Sequence, residues 1–470
     1  LSRLIIVSNR VAVPSKERRN QAGGLAVAMR SVLQQRSGIW FGWSGGIAPE
    51  DSELKTHAIE HGGISYVVTD LGEDDYQEYY NGFANRMLWP IMHYRLDLAE
   101  FSRRDLTGYM RVNNHFADEL HKLIKPDDII WVHDYHLIPC AKALRDRGHK
   151  NKIGFFLHIP FPPPEIMTAL PSHSRLIPDM SHYDLVGFQT ENDADNFGRY
   201  LHSECGMTRV SRFAYKTPHG MVNVGVFPIG IETANFSAAA QRAARSGFVS
   251  RFVESLAGRA MIIGVDRLDY SKGLALRMEA FESFLTHYPQ WQGEVTYLQI
   301  TPKSRSEIQE YGDMERKISE AAGRINGAFG EVSWTPIRYV NRAHARSELA
   351  GLYRAAKAAL VTPLRDGMNL VAKEYLAAQN PLDPGVLILS RFAGAANELK
   401  AALLVNPYDI EAVGAAIDRA LSMSLEERRS RHQQMYEILC ANDIAHWGER
   451  FLSSLAGQTA VPTKPARSAH

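Results

Sequence analysis

Apolar and polar positions alternate along this chain in two rhythms. Short continuous apolar runs end in polar loops at LIIVSNR (4–10), DDIIWVHDYHLIP (127–139), NKIGFFLHIPFPPPE (151–165), DLVGFQTEND (184–193) and GMVNVGVFPIGIE (220–232). They resume at AMIIGV (260–265), VTYLQIT (295–301), AALVTPL (358–364), GVLILS (385–390) and ALLVN (402–406). Runs of this length, bounded by turn residues and rich in Val, Ile and Leu, predict strands buried in parallel sheets. Helix formers fill the stretches between them: 22–33, 234–258, a long segment from about Ser306, the segment from Leu370, and the last segments to about Leu455.

Strand and helix in alternation predict an α/β fold. The segments 4–33 and 260–281 both open as strand, polar loop, glycine and helix. The expectation is therefore two Rossmann-like domains facing a cleft, 1–235 and 236–440. A helix at 441–456 is expected to pack back on the first, because Trp447, Phe451 and Leu455 form an apolar stripe that needs a partner. The polar tail 457–470, with two prolines, is expected to be disordered.

Ligands of such sheets gather at the C-terminal ends of strands, and that selects residues. In LVTPLRDGMNLVAKEY (360–375), Arg365 to Asn369 reads as a tight strand-to-helix loop, with Gly367 free to turn and Asn369 as the helix N-cap. Free N–H groups of Leu370 and Val371 would face an anion, and Asp366 and Glu374 would offer carboxylates to sugar or ribose hydroxyls. A capped helix with two solvated acids would use the same residues, so the rest of the chain has to decide. Arg10 with Gly23-Gly24, Arg267 with Lys272 and Gly273, and Arg305 after the 295–301 strand add cations or glycines at further strand ends. Two unit charges about 4 Å apart attract by about 4 kcal/mol at an effective dielectric of 20. A helix terminus contributes only about 0.3–1 kcal/mol. The cations should therefore dominate the holding of a diphosphate and stabilise its departure.

Asp134 and His158 become candidates by position. In the aromatic stretch before residue 95, Tyr80 and Trp89 are the candidates for a sugar face. His133, His136 and His158 lack the i,i+4 spacing of a zinc site, and no cysteine joins them, so no metal is expected. Asp193-Ala194-Asp195 has the spacing of a metal-binding pair, but Asn192-Asp193 reads better as a helix cap.

Composition narrows the class. The 53 basic and 52 acidic residues nearly cancel, which points away from nucleic acid and membrane surfaces. Three distant cysteines, Cys140, Cys205 and Cys440, favour a reducing compartment over a disulfide framework. No apolar run approaches the roughly 18 residues of a membrane span, and the opening residues carry no signal-peptide pattern. A cytoplasmic protein is the expectation.

These stretches closely resemble the trehalose-6-phosphate synthases, retaining glucosyltransferases of the two-Rossmann (GT-B) type. VSNR with AGGLAV, NGFANRMLWP with HYRLDL, IIWVHDYHL, IGFFLHIPFPPPE, DLVGFQTEND, VDRLDYSKGL, AGRINGAFG, VTPLRDGMNLVAKEY and FAGAANEL with NPYD carry the resemblance. It implies transfer of glucose from UDP-glucose to glucose 6-phosphate, without cofactor or metal, in a homo-oligomer of two or four chains. Arg10, Tyr80, Trp89, Asp134 and Arg305 would hold the acceptor, and His158 would lie beside the reacting sugars. Gly23, Gly24, Arg267 and Lys272 would contact the donor diphosphate and Asp366 the donor glucose. Gly367, Met368, Asn369, Leu370 and Val371 would line its phosphates, with Glu374 at the ribose and His344 near the uracil, although NRAHAR (341–346) matches poorly. The catalytic set so implied is Asp134, His158, Arg267, Lys272 and Asp366. Retention would follow a front-side course in which the leaving phosphate oxygen takes the acceptor's proton. No Asp-x-Asp-x-Thr phosphatase motif is present, so the product is expected to leave phosphorylated. The alternatives are a same-family transferase with another phosphorylated acceptor or another NDP-glucose, a sugar-nucleotide epimerase of the same fold, and a non-catalytic sugar-phosphate sensor.

Overall fold

The two apolar openings become the central strands of two separate sheets. The structure, a computed structural model, describes residues 2–14, 24–36, 38–49, 54–303 and 309–458. It divides into two units: one runs to Ile229 and takes in the chain from Ile444, and the other is Gly230–Asp443.

The first unit holds β1 (Leu4–Arg10), β2 (Gly38–Ile47), β3 (Thr56–His61), β4 (Ile64–Leu71), β5 (Ile129–His133), β6 (Lys152–Phe156), β7 (Leu185–Phe188), β8 (Thr208–Ser211), β9 (Ala214–Thr217) and β10 (Gly220–Val226). Their order is β3-β4-β2-β1-β5-β6-β7-β10-β9-β8. The pairings from β4 to β10 are parallel, and β3, β9 and β8 join antiparallel at the edges. Strand order reverses at β1 and β5, whose C-terminal ends carry Arg10 and Asp134. Ile5, Ile6, Val7, Ile130, Trp131 and Val132 are buried there, as the unbroken apolar runs require.

The helix Ile444–Leu455 lies on this sheet. Phe451 stacks on Trp131 (4.5 Å, 10°) and Trp447 meets Phe156 edge-on (5.2 Å, 89°). Glycines make the room: a Cβ on Gly154 or Gly187 would fall 2.7 Å from the Phe451 ring.

The second unit holds β11 (Ala260–Val265), β12 (Val295–Ile300), β13 (Ile337–Val340), β14 (Ala358–Val361), β15 (Val386–Ser390) and β16 (Leu403–Val405), in the order β13-β12-β11-β14-β15-β16 with every pairing parallel. Counted from its own first strand this is 3-2-1-4-5-6, the doubly wound order whose ligands bind outside the strand ends where the order reverses. The loops after β11 and β14 flank that point, and they carry Arg267, Lys272 and Asp366. Among the described residues no helix is long and apolar enough to cross a membrane.

Some local expectations change. Within the aromatic stretch before residue 95, Tyr76–Leu88 is a π-helix, closed by Trp89 N–H donating to the Ala84 carbonyl, and Trp89–Met92 continues it. The cap of helix Glu191–Ser203 is Thr190, whose hydroxyl accepts from Asp193 N–H, rather than Asn192-Asp193. Gly23, Arg305 and the tail from residue 459 lie outside the described residues.

Candidate functional site

In the second unit, the loop after β14 is fastened on both sides before any side chain acts. Leu364 N–H donates to the Ser271 carbonyl (2.7 Å), Asp366 N–H to Phe392 (3.2 Å), and Gly394 N–H to the Asp366 carbonyl (3.1 Å). A Cβ on Gly394 would collide with the Gly367 carbonyl, so these two strand-end loops approach as closely as backbone can. The left-handed residue is Asn369 (φ 76°) rather than Gly367. Its Oδ1 accepts from Ala372 N–H (3.1 Å), capping the helix Leu370–Ala378, and its Nδ2 donates to Asp366 Oδ2 (3.1 Å). Asparagine suits both tasks, because its short side chain tolerates left-handed backbone and caps helices.

Asp366 Oδ2 also accepts from Lys272 Nζ (2.5 Å). Both side chains keep a sliver of exposure, 12% for Lys272 and 15% for Asp366, so the pair is reachable from solvent. Lys272 sits just before Gly273 (φ 66°), where a Cβ would come within 2.7 Å of the Thr362 carbonyl. Arg267 is exposed on the same β11 loop, and Leu370 and Val371, half-buried, form the helix's first turn.

Glu374 is one helical turn further along. Burial pushes its carboxyl up, opposed by Arg346, which donates to Glu374 Oε1 (3.2 Å). Arg346 also lies over the Phe236 ring (5.0 Å). Two residues earlier, His344 meets Glu348 Oε2 through Nδ1 (3.1 Å) and faces Phe248 (5.7 Å). Arg346 thus ties the His344 segment to Glu374, a link that sequence reading missed.

Beneath the site is buried Arg277, four residues past Gly273 in the helix Leu274–His287. Its guanidinium donates to Asp266 Oδ2 (2.6 Å), Thr362 Oγ1 (2.9 Å), Gln299 Oε1 (3.1 Å) and the Lys272 carbonyl (3.2 Å). One cation therefore joins the ends of β11, β12 and β14. Lys373 and Glu398, both buried, pair at 2.6 Å under the helix Leu370–Ala378. A basic residue in a largely apolar helical run, LALRMEAF, was the available signal for Arg277.

In the first unit a chain of ring contacts joins the sequence candidates. Arg10, exposed, lies over Trp43 (5.7 Å), and Trp43 touches Tyr80 (5.8 Å). Tyr80 stacks on Tyr76 (5.6 Å, 19°) and on His136 (5.9 Å, 12°). His136 meets Tyr135 (3.9 Å), which meets Trp89 (5.7 Å). Arg10, Tyr80 and Trp89 are therefore held by one aromatic wall, with Trp89 buried within it. Gly45 (φ 88°) makes space for Arg10, since a Cβ there would sit 2.5–2.7 Å from the guanidinium. Asn9 anchors the strand end by accepting from the Tyr79 hydroxyl (2.8 Å). Gly24 opens the helix Gly24–Arg36 that follows β1. Trp43, Gly45, Tyr76 and His136 were not selected from sequence.

Asp134, half-buried, holds a backbone shape rare for any residue with a side chain, φ 78° and ψ 164°. Hydrogen bonds enforce it: Asp134 N–H donates to Phe156 O (2.8 Å), and Asp134 Oδ1 accepts from His158 N–H (3.3 Å). Such a conformation costs about 1–3 kcal/mol in a non-glycine residue. Asp134→Gly should therefore be more stable than Asp134→Ala by about 1–2 kcal/mol. Thermal melts of the two variants check this, and equal melting temperatures would remove the strain.

His133 and His158 meet through Nδ1 and Nε2 at 3.0 Å, a direct bond between the two rings. Among the described residues no group of three or more His, Cys, Asp or Glu is arranged to hold a metal ion. Asp193 accepts from Phe161 N–H (3.0 Å) and Asp195 pairs with Arg212 (2.7 Å), so these two carboxylates turn to different partners.

The model of glycosyltransferase family 20 matches residues 2–457. The chain belongs to glycosyltransferase family 20. Within it, a trehalose-6-phosphate synthase of Sinorhizobium fredii is 54% identical over 461 residues, 98% of this chain and 99% of that one. A crystal structure of an alpha,alpha-trehalose-phosphate synthase (UDP-forming) from Burkholderia xenovorans in complex with glucose-6-phosphate superposes with a TM-score of 0.93 at 45% identity, covering 97% of this chain and 100% of that one. A structure from Escherichia coli bound with UDP-2-fluoro glucose gives a TM-score of 0.91 at 48% identity, with 97% and 99% covered. In this family 20 chain, then, both strand-end clusters sit on a fold shared with solved relatives over nearly its whole length.

Proposed function

We infer that the chain transfers glucose from UDP-glucose to glucose 6-phosphate with retention, releasing trehalose 6-phosphate and UDP. The observation that carries this is the Lys272–Asp366–Asn369 cluster at the N-terminus of Leu370–Ala378. It sets a cation and free N–H groups beside a carboxylate at the switch point of a doubly wound sheet. That suits a diphosphate next to a sugar. The relatives named above, similar over almost their full length, support the substrate pair.

On this reading Arg267, Lys272, Gly23, Gly24 and the 367–371 backbone hold the donor diphosphate. Asp366 takes the donor glucose hydroxyls, Glu374 the ribose, and His344 lies near the base. Arg10, Tyr80, Trp89, Asp134 and Arg305 hold the acceptor. The bond from the donor anomeric carbon to the phosphate oxygen breaks as the acceptor's anomeric oxygen forms its own, and the departing phosphate oxygen takes the hydroxyl proton. Fixed cations stabilise the charge growing on UDP, so the rate should survive a chelator. The setting proposed is a cytoplasmic homo-oligomer; light scattering at the mass of a single chain would remove the oligomer.

The expected products from UDP-glucose and glucose 6-phosphate are UDP and a non-reducing phosphorylated disaccharide in equal amounts. Turnover of UDP-glucose at the same rate without acceptor would favour an epimerase, and no turnover with ligand binding intact would favour a sensor.

A further inference from the structure

His133 ends β5 and is buried; His158 follows β6 and is mostly buried. Burial lowers His158 to about 3 and His133 well below the usual imidazole range, so both rings are neutral at physiological pH. A bond between neutral imidazoles needs one N–H and one bare nitrogen, which leaves two arrangements. Either His133 donates from Nδ1 and His158 keeps its proton on Nδ1, or His158 donates from Nε2 and His133 keeps its proton on Nε2.

The surroundings of His133 distinguish them. Its Nε2 is buried with no hydrogen-bond partner. The rings around it are Trp131 (4.6 Å), Trp447 (6.3 Å) and Phe156 (6.4 Å). The indole nitrogens of both tryptophans are buried without acceptors too, and an indole N–H can only donate. A proton on His133 Nε2 would add a third orphaned donor to this cluster. Orphaned buried N–H groups are rarer in proteins than under-used acceptors, and a bare Nε2 is only an under-used acceptor.

We propose that His133 is a positioning residue that fixes His158 as the Nδ1–H tautomer, so that His158 offers a hydrogen-bond donor to a sugar hydroxyl. The substrate in this statement rests on the function proposed above, while the tautomer stands on the two rings and the packing around His133 alone. A ring that another residue orients keeps one role, much as ligating histidines are held by their outer partners.

The test is a nitrogen-15 spectrum of the full chain labelled at histidine, with His158 assigned by comparison with His158→Gln. The expected spectrum has His158 protonated at Nδ1 and bare at Nε2. A proton on His158 Nε2 would overturn the proposal. For the kinetic arm, His133→Phe keeps the ring volume and removes the donor, whereas His133→Asn keeps an N–H where Nδ1 stood. The expected result is a kcat about 10–100-fold lower for Phe with little change in KM, and recovery of most of that loss by Asn. Equal rates in folded wild type and His133→Phe, or equal losses in Phe and Asn, would also overturn it. If His133→Phe fails to fold, the wild-type spectrum alone decides. Should the wild type show no transfer at all, the functional reading fails while the spectrum still tests the tautomer.

Discussion

Lys272→Met should lower kcat/KM for glucose transfer by about 10²–10³-fold, with the fold intact. Lys272 Nζ is engaged with Asp366 in the free protein, but an ammonium has three donors and can serve a phosphate oxygen as well. Methionine fills the same volume and removes two things together. The diphosphate loses a fixed cation, and Asp366, at 15% exposure, is left as an unneutralised carboxylate beside an incoming anion. Most of the loss belongs in kcat, because negative charge grows on the leaving group as the glycosidic bond breaks. Steady-state kinetics at saturating glucose 6-phosphate measure it. A loss under fivefold would place the diphosphate away from Lys272.

The largest expected effect on stability is at Arg277. Its guanidinium pairs with buried Asp266, whose carboxyl is pushed up by burial and drawn down by Arg277 and, secondarily, Lys272. Removing one member of a buried pair typically costs about 3–5 kcal/mol, because the other is left uncompensated. Arg277→Leu also removes the donor to Thr362 Oγ1 and the Lys272 carbonyl, and leaves Gln299 Oε1 with the Tyr297 hydroxyl. The expected result is a loss of about 3–5 kcal/mol in denaturant unfolding of the second unit. The pair Arg277→Leu with Asp266→Leu should lose less than the two single changes added together. A cost under 1 kcal/mol for Arg277→Leu would show that the strand ends are held by other means. Because the Lys272 carbonyl is one of the four acceptors, any folded remainder should also show a reduced kcat.

Much of this arrangement was legible in sequence because it rests on short-range signals. Apolar runs ending in polar loops marked β1, β5, β11 and β14, and Asn369 preceding LVAKEY marked the capped helix. What escaped depends on contacts between distant segments. The left-handed turn fell to Asn369 instead of Gly367 because Gly367 is pinned against Gly394, 27 residues on in sequence by their numbers. The π-helix Tyr76–Leu88 escaped because aromatic residues at every turn blur helical periodicity and i→i+5 bonding leaves no familiar pattern. The shape of Asp134 is imposed by Phe156 and His158 on the neighbouring strand, and nothing local to Asp134 announces it. Arg277 and Arg346 escaped because the partners that give them a role lie 85 and 28 residues away in sequence.

Calorimetric titration of the chain with UDP and with uridine, in a chelator, bears most directly on the claim that fixed protein cations hold the diphosphate. UDP should bind at least about 100-fold more tightly than uridine, roughly 2.7 kcal/mol, and Lys272→Met should erase most of that difference. Equal affinities of wild type for UDP and uridine, or a gap unchanged in Lys272→Met, would contradict it.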